Sequence, residues 1–521
     1  MFRSIAARMR LFSASAASGI ALATLAGVCP AHAEWLKADS ERFVVYSEGS
    51  ESNLRRFVQH LEIYDRVLNV RLTNSMGEAP PRKLPVYLVG SRAGLVTVSP
   101  NLGENIVGYY MTSDEDIFAM AIRDSDDDTL LHEYAHHFMF QNAAYPYPGW
   151  FVEGFAEYYM TAEFKPDRVL VGQPNANRAY WLQDGTWLDL RALLANRPGG
   201  RAHGNETYYP LAWLLTHWFW GNDERRVQLN AYLLDVGAGA DPVEAMEKAT
   251  GLTPQQLRRE LRRYMNGRIP YQAVLMDIPE IPMTVTHLPR SADALLVLGQ
   301  RVKLIDADDD DAARVLASVR AQAARFPDDD LATMVLARAE LKLGDPAVGQ
   351  SLASKLLERE PANGEALQLL ATAAIKTAND AEDADASDRA MGQARAYLGR
   401  AFRADDGNFR TFMLLNDTRR GAVGYPNAND MATLELAHTL APQLPDTVLQ
   451  LASVLIFTGR KEEATALLQP LANNPHGGGA ASAAQSMINQ IKGVSDAEQE
   501  AEDDAPAGPE DGDAASGHPG G

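Results

Sequence analysis

The spacing of apolar positions divides the chain into a mixed first half and a helical second half. Arg42 to Tyr46 and Leu84 to Val89 are β-branched and aromatic runs bounded by Pro, Gly and Ser, and they predict strands. Between them Leu54, Phe57, Val58, Leu61, Tyr64 and Leu68 recur at helical intervals, which predicts a helix over Ser52 to Val70. Gly108 to Met111 and Ile117 to Ile122 predict a further strand pair joined by Thr112-Ser113-Asp114-Glu115-Asp116. Helical periodicity then takes over, and from about Ser291 to Lys492 the chain is Ala/Leu-rich helix almost throughout.

The two ends stand apart from this pattern. Leu11 to Ala33 is apolar, follows Arg3, Arg8 and Arg10, and ends in Ala31-His32-Ala33. A basic segment, an apolar segment and an A-x-A site predict a signal peptide cut after Ala33, hence a periplasmic or secreted protein with no membrane span in the mature chain. Cys29 is preceded by Val28, which does not fit a lipobox. Ser495 to Gly521 has nine acids and no Lys or Arg, so it is expected to be a disordered acidic tail. The expected division is 1–33 signal peptide, 34–285 mixed domain, 286–492 helical domain and 493–521 tail.

Charge and cysteine content narrow the chemistry. The formal charge of −21 becomes −24 once the signal, with its three Arg and no acid, is removed. That argues against nucleic acid or an anionic membrane as a main partner. The single cysteine leaves with the signal, so a metal would sit on His, Asp or Glu.

Those ligand types cluster at Leu130-Leu131-His132-Glu133-Tyr134-Ala135-His136-His137-Phe138. Residues four apart share a helix face, so His132 and His136 can present two imidazoles to one Zn2+, with Glu133 beside them as general base. After sixteen intervening residues comes Glu153, within Trp150-Phe151-Val152-Glu153-Gly154-Phe155-Ala156-Glu157. This segment predicts a second helix carrying two carboxylates among aromatics. Burying them demands partners. Glu153 as third metal ligand and Glu157 as acceptor from a ligand His N–H would supply them. Asp124, Asp126, Asp127 and Asp128 ahead of the motif helix, and Asp308 to Asp311 ahead of a later one, are expected to cap helix N-termini.

With H-E-x-x-H on one helix and Glu on the next, the chain resembles the gluzincin peptidases. Trp150 to Ala156 is similar to that group's W-L-N-E-G-x-A block, with Phe-Val replacing Leu-Asn. The nearest resemblance is to peptidase-MA-like domains fused to tetratricopeptide repeats. Pro327 and Pro361 are 34 residues apart, the repeat's period. Leu336, Ala337, Gly349, Ala353 and Leu356 fall where that repeat places small or apolar residues, and Ala394, Leu398, Ala401 and Gly459, Ala464, Leu468, Leu471 repeat the pattern. The implied fold is α+β: a zincin-like metallopeptidase domain, with a small mixed sheet plus helices, followed by an all-α repeat domain.

The resemblance also implies roles. A Tyr near the start of the helix Thr207 to Trp218 would donate to the oxyanion, Tyr209 being the candidate and Tyr208 its neighbour, with His203 as a substitute. His217 is expected in the helix core and His137 as a neighbour of the ligands. The G-x-M-E-N block of aminopeptidases is absent, which favours an endopeptidase, although Glu115 and Asp116 leave amine recognition open. The expected function is zinc-dependent hydrolysis of a peptide or protein substrate, with the repeats binding substrate or partner. The alternative is a repeat scaffold or chaperone-like envelope assembly factor with little proteolysis.

Overall fold

The computed structural model describes residues 34–72, 80, 82–123, 128–142, 145–195, 205–276 and 280–494. The expected signal peptide, the acidic tail from Ser495, His203, and Asp124, Asp126 and Asp127 lie outside the described residues.

In chain order the first half runs β1 (Trp35–Asp39), β2 (Phe43–Glu48), α1 (Glu51–Leu72), β3 (Leu84–Val89), α2 (Arg92–Val98), β4 (Gly108–Thr112), β5 (Ile117–Ile122), α3 (Asp128–Asn142) and α4 (Gly149–Tyr159). It continues through β6 (Glu163–Lys165), β7 (Arg168–Val171), α5 (Ala176–Asp184), α6 (Leu190–Leu194), α7 (Tyr208–Trp220), α8 (Asp223–Gly237), α9 (Pro242–Thr250), α10 (Pro254–Met265), β8 (Gln272–Leu275) and β9 (Thr284–His287). The second half is helical: α11 (Ala292–Leu304), α12 (Ala312–Ala323), α13 (Asp330–Leu343), α14 (Pro346–Arg359), α15 (Gly364–Asn379) and α16 (Ala384–Ala404). Helices α17 (Phe409–Asp417), α18 (Ala428–Leu440), α19 (Pro445–Phe457), α20 (Lys461–Ala472) and α21 (Gly478–Lys492) complete it. No described helix is long and apolar enough to cross a membrane.

The main sheet has the order β4-β5-β3-β2-β1-β9. β2, β3 and β5 pair in parallel, and the flanking strands are antiparallel. The parallel β2–β3 pair needs a crossover, and α1 provides it. Alternation along β5 shows why both faces are buried. Ile117, Ala119 and Ala121 face the core shared with α1, α3 and α4, whereas Phe118 and Met120 join Tyr87, Leu95 and Val98 on the other side. That second face is closed by Ala292 and Leu296 of α11. A small antiparallel sheet, β6-β7-β8, stands apart. The apolar pattern does not predict β1 or β9, and a domain boundary at 285 would cut through β9.

Beyond β9 the helices stack as pairs. α13 and α15 begin 34 residues apart, at Asp330 and Gly364. Gly349 is where α14 meets α13: an added Cβ would press on Leu341 and on the Ala337 carbonyl. Ala353, Leu356, Ala394, Leu398, Ala401, Ala464 and Leu468 are buried between neighbours. The far end of the stack returns to the first half. Phe409, Phe412, Met413, Ala437, Leu440 and Leu444 share one hydrophobic cluster with α1, α3 and α4. Gln443 Nε2 donates to Gln141 Oε1 at 3.1 Å, and Asn473 Nδ2 to the Pro146 carbonyl at 3.1 Å.

The β4–β5 loop is held by this stack through charge. Asp116 accepts from Arg82 at 2.5 Å and from Lys303 at 2.6 Å. Glu115, with a side chain only 8% exposed, pairs with Arg338 and lies 3.5 Å from Arg410 and 3.8 Å from Lys342. Those partners sit on α13 and α17, with Lys303 on α11, so the loop plugs the face made by these helices. Such buried pairs are costly to break singly. Glu115 and Asp116 are therefore structural anchors, committed to cations of the fold and not to a substrate amine. Asp311 also departs from expectation: it makes no cap bond and accepts from Arg301 and Arg314 at 2.8 and 2.7 Å.

A buried polar network fixes the motif helix. Tyr134 Oη donates to Asp65 Oδ1 at 2.6 Å, Arg42 Nε lies 2.6 Å from Asp65 Oδ2, and the Arg42 amide donates to Glu62 at 2.8 Å. Tyr64 adds a bond to the Leu131 carbonyl. Burial pushes the Asp65 carboxyl up to about 6, against the pull of Tyr134 and Arg42. An acid whose value is raised on folding is stabilising below its ordinary range, and that contribution fades as pH rises toward about 6. Urea titrations from pH 4 to 6.5 should show the native chain losing on the order of 2 kcal/mol relative to Asp65→Asn. A constant difference across that range would exclude the effect.

Candidate metal centre

Helix α3 is buried on most sides, so its histidines have nowhere to go but inward. His132 and His136 are 8% and 4% exposed. Helix α4 starts after Pro148, and all eleven of its residues are buried, Glu153 completely. Trp150 fixes α4 by donating its indole N–H to Tyr232 Oη at 2.9 Å. Gly154 sets how closely α4 approaches α7, since a Cβ there would overlap Thr216 Oγ1 and the Ala212 carbonyl. Gly154→Ala is expected to cost about 1–3 kcal/mol and lower the melting temperature, with Gly154→Val worse. An unchanged melting temperature for both would show that the two helices can part freely.

Three candidate ligand atoms converge across α3 and α4. His132 Nε2 and His136 Nε2 are 3.0 Å apart, and Glu153 Oε2 lies 3.5 and 3.4 Å from them. The edge of a tetrahedron with zinc bonds of roughly 2.0–2.1 Å is about 3.3 Å. The triangle therefore has the dimensions of one face of such a site, and the donor set is one a borderline divalent ion accepts.

The electrostatics also ask for a cation. Burial opposes charging His132, but the hydrogen bond to Glu153 and the charges of Glu157, Glu153 and Glu133 raise it to about 9. Burial would raise Glu153, yet His136, His132 and His476 hold it well below the usual carboxylate range. His136 is lowered by burial and by the neighbouring His132 and His476. With the imidazoles neutral, as metal ligation requires, three glutamates (133, 153 and 157) and one arginine (178) leave two negative charges, the complement of a divalent ion; without a metal, a protonated His132 offsets one of them.

Around this triangle the other candidates take distinct places. Glu133 is half-buried on α3 beside His132, and its charge acts on His132 and on His476. Glu157 Oε1 lies 3.5 Å from His132 Nδ1. It is held by Arg178 of α5, which donates to both its oxygens at 2.6 and 2.8 Å. The Arg178 guanidinium also stands 5.1 Å from the Tyr209 ring centroid. Tyr209, at the start of α7, has its ring 6.4 Å from that of His132, and burial with the Glu153 and Glu157 charges keeps its phenol protonated. Tyr208 is fully buried in the core instead. His137 turns away to Tyr110 Oη at 3.0 Å, and His217 bonds to Tyr264 Oη and the Gly172 carbonyl.

Two residues of the site carry no signal in the sequence. Arg178 is an ordinary helix arginine in a polar stretch, and only its pairing with Glu157 singles it out. His476 comes from the turn between α20 and α21. Its Nε2 lies 2.8 Å from Glu153 Oε1 and its ring centroid 5.0 Å from that of His136. Ligand atoms of His132, His136, Glu153 and His476 all fall within 4.8 Å of one another.

Comparison with known proteins adds little to this site. No family model matches the chain, and no curated protein matches it. Among solved structures, it is similar to the crystal structure of a thermophilic TPR protein from Thermus thermophilus. The identity is 22% and the TM-score 0.33, over 38% of this chain and 98% of that one.

Proposed function

We propose that the chain is a zinc-dependent peptidase of the gluzincin kind, acting as an endopeptidase on a peptide or protein substrate outside the cytoplasm. The convergence of His132, His136 and Glu153, at separations matching a zinc site and beside Glu133, carries this reading. Zinc held by these three residues would supply Lewis acidity toward a carbonyl and acidify a water. Glu133 takes the proton of the attacking water and delivers it to the leaving amine. Tyr209, kept protonated, donates its O–H to the oxyanion as charge develops there. Glu157, gripped by Arg178, stands 3.5 Å from His132 Nδ1, and its charge would steer that ring with Nε2 inward. Endopeptidase action is preferred because Glu115 and Asp116 are committed to cations of the helical stack.

A second reading is a scaffold whose metal is structural and whose helix pairs hold a partner. The position of His476 favours it, because structural zinc sites are closed by four protein ligands whereas catalytic ones keep a place open. The test is zinc content and hydrolysis of a denatured protein, for the native chain and for His476→Ala. Expected are one zinc per chain, and hydrolysis that a chelator stops and added zinc restores. Absence of zinc from protein purified without chelator would remove the site. Zinc without hydrolysis by either chain would favour the scaffold.

A further inference from the structure

One residue at the site, His476, has no part in the proposed hydrolysis. His476 lies far along the chain from α3 and α4, on an otherwise bland turn, yet it points its Nε2 into the cluster of ligand atoms. The turn is built to deliver it. Asn474 Oδ1 accepts from the His476 amide at 2.9 Å, shaping the turn. Asn473 Nδ2 reaches the Pro146 carbonyl in the segment leading to α4, clasping the turn against the site. Pro475 is buried on one side of His476; on the other Gly477 caps α21, and Gly478, with φ of +49°, and Gly479 open that helix. A single clasp on one flank and a glycine junction with α21 on the other describe a segment that can pivot.

We propose, building on the zinc reading, that His476 is a fourth protein ligand of the metal. The chain as folded is then a closed form that opens when the α20–α21 turn swings away from α4. In the closed form His476 fills the place that water and the substrate carbonyl require. The 4.8 Å span of the four ligand atoms exceeds the tetrahedral edge of about 3.3 Å, so the fourth imidazole draws inward when the ion is present. Its side chain is 45% exposed, which leaves it room to withdraw. Opening would thereby be controlled from the helical stack that carries the turn, not from the ligands themselves.

The test reads coordination directly. X-ray absorption at the zinc edge should count three imidazoles per zinc in the native chain and two in His476→Ala. Acetohydroxamate, a small chelating probe of an open zinc position, should bind His476→Ala at least about tenfold more tightly by calorimetry. Asn473→Ala keeps all four ligands and removes the clasp, and should gain part of that affinity. Two imidazoles in both chains with equal hydroxamate binding would overturn the proposal, leaving His476 as a hydrogen-bond partner of Glu153 and the zinc reading intact. Gain in His476→Ala with none in Asn473→Ala would overturn the pivoting turn. Absence of zinc from both chains would overturn this proposal and the zinc reading together.

Discussion

Glu133→Gln is expected to lower peptide hydrolysis by roughly 10²–10⁴-fold or more while leaving one zinc bound. Gln is nearly the same size as Glu, so the half-buried position on α3 is refilled and His132 and His136 stay in place. What is lost is the carboxylate proposed above to accept the proton of the attacking water. The comparison is best made both in the native chain and with His476→Ala, in which the proposed fourth ligand is gone. Zinc by elemental analysis and cleavage of a denatured protein are the two measurements. Equal cleavage by Glu and Gln chains would exclude Glu133 as the base.

Glu153→Ala should have the second large effect, on the metal itself. Glu153 is completely buried and carries the negative charge that His132, His136 and His476 surround. Its removal takes away the proposed third ligand and leaves buried imidazoles without their counter-charge. Zinc affinity, measured by competition with a chromophoric chelator, should fall by more than the ~10–100-fold that loss of an outer partner costs. Glu157→Gln supplies that milder case, because Glu157 meets His132 at the far ring nitrogen, Nδ1. If Glu153→Ala and Glu157→Gln lose affinity equally, Glu153 is not a ligand.

Elements with a strong local period are legible in the sequence. The long α1 and the small residues of the paired helices follow from burial of one face, which the spacing of apolar residues records directly, and β5 shows as a short continuous apolar run because both its faces are buried. The pairing of His132 with His136 is equally local, since it depends on a single helical turn. β1 and β9 leave no such trace: each is short, and their pairing joins Leu36 to His287 in a register no local pattern records. Arg178 and His476 are hidden for the same reason. A charged or polar residue on a helix or turn looks solvated until the fold shows which carboxylate stands opposite. Glu115 and Asp116 show the reverse case. As sequence they are a surface-loop pair, and only the cations of α11, α13 and α17 turn them into buried anchors.

The helical stack is fastened to the sheet through α11, to the β4–β5 loop through α13 and α17, and to the segment before α4 through the α20–α21 turn. Open-ended arrays tolerate gain or loss of a repeat, because each unit answers only to its neighbours. Here the number of pairs is a ruler. One pair more or fewer would rotate the final turn off Glu153 and His136 and leave Phe409 and Leu444 without their seats. A chain of this design can vary its sequence along the stack, but its count of helices is fixed by the distance it must bridge.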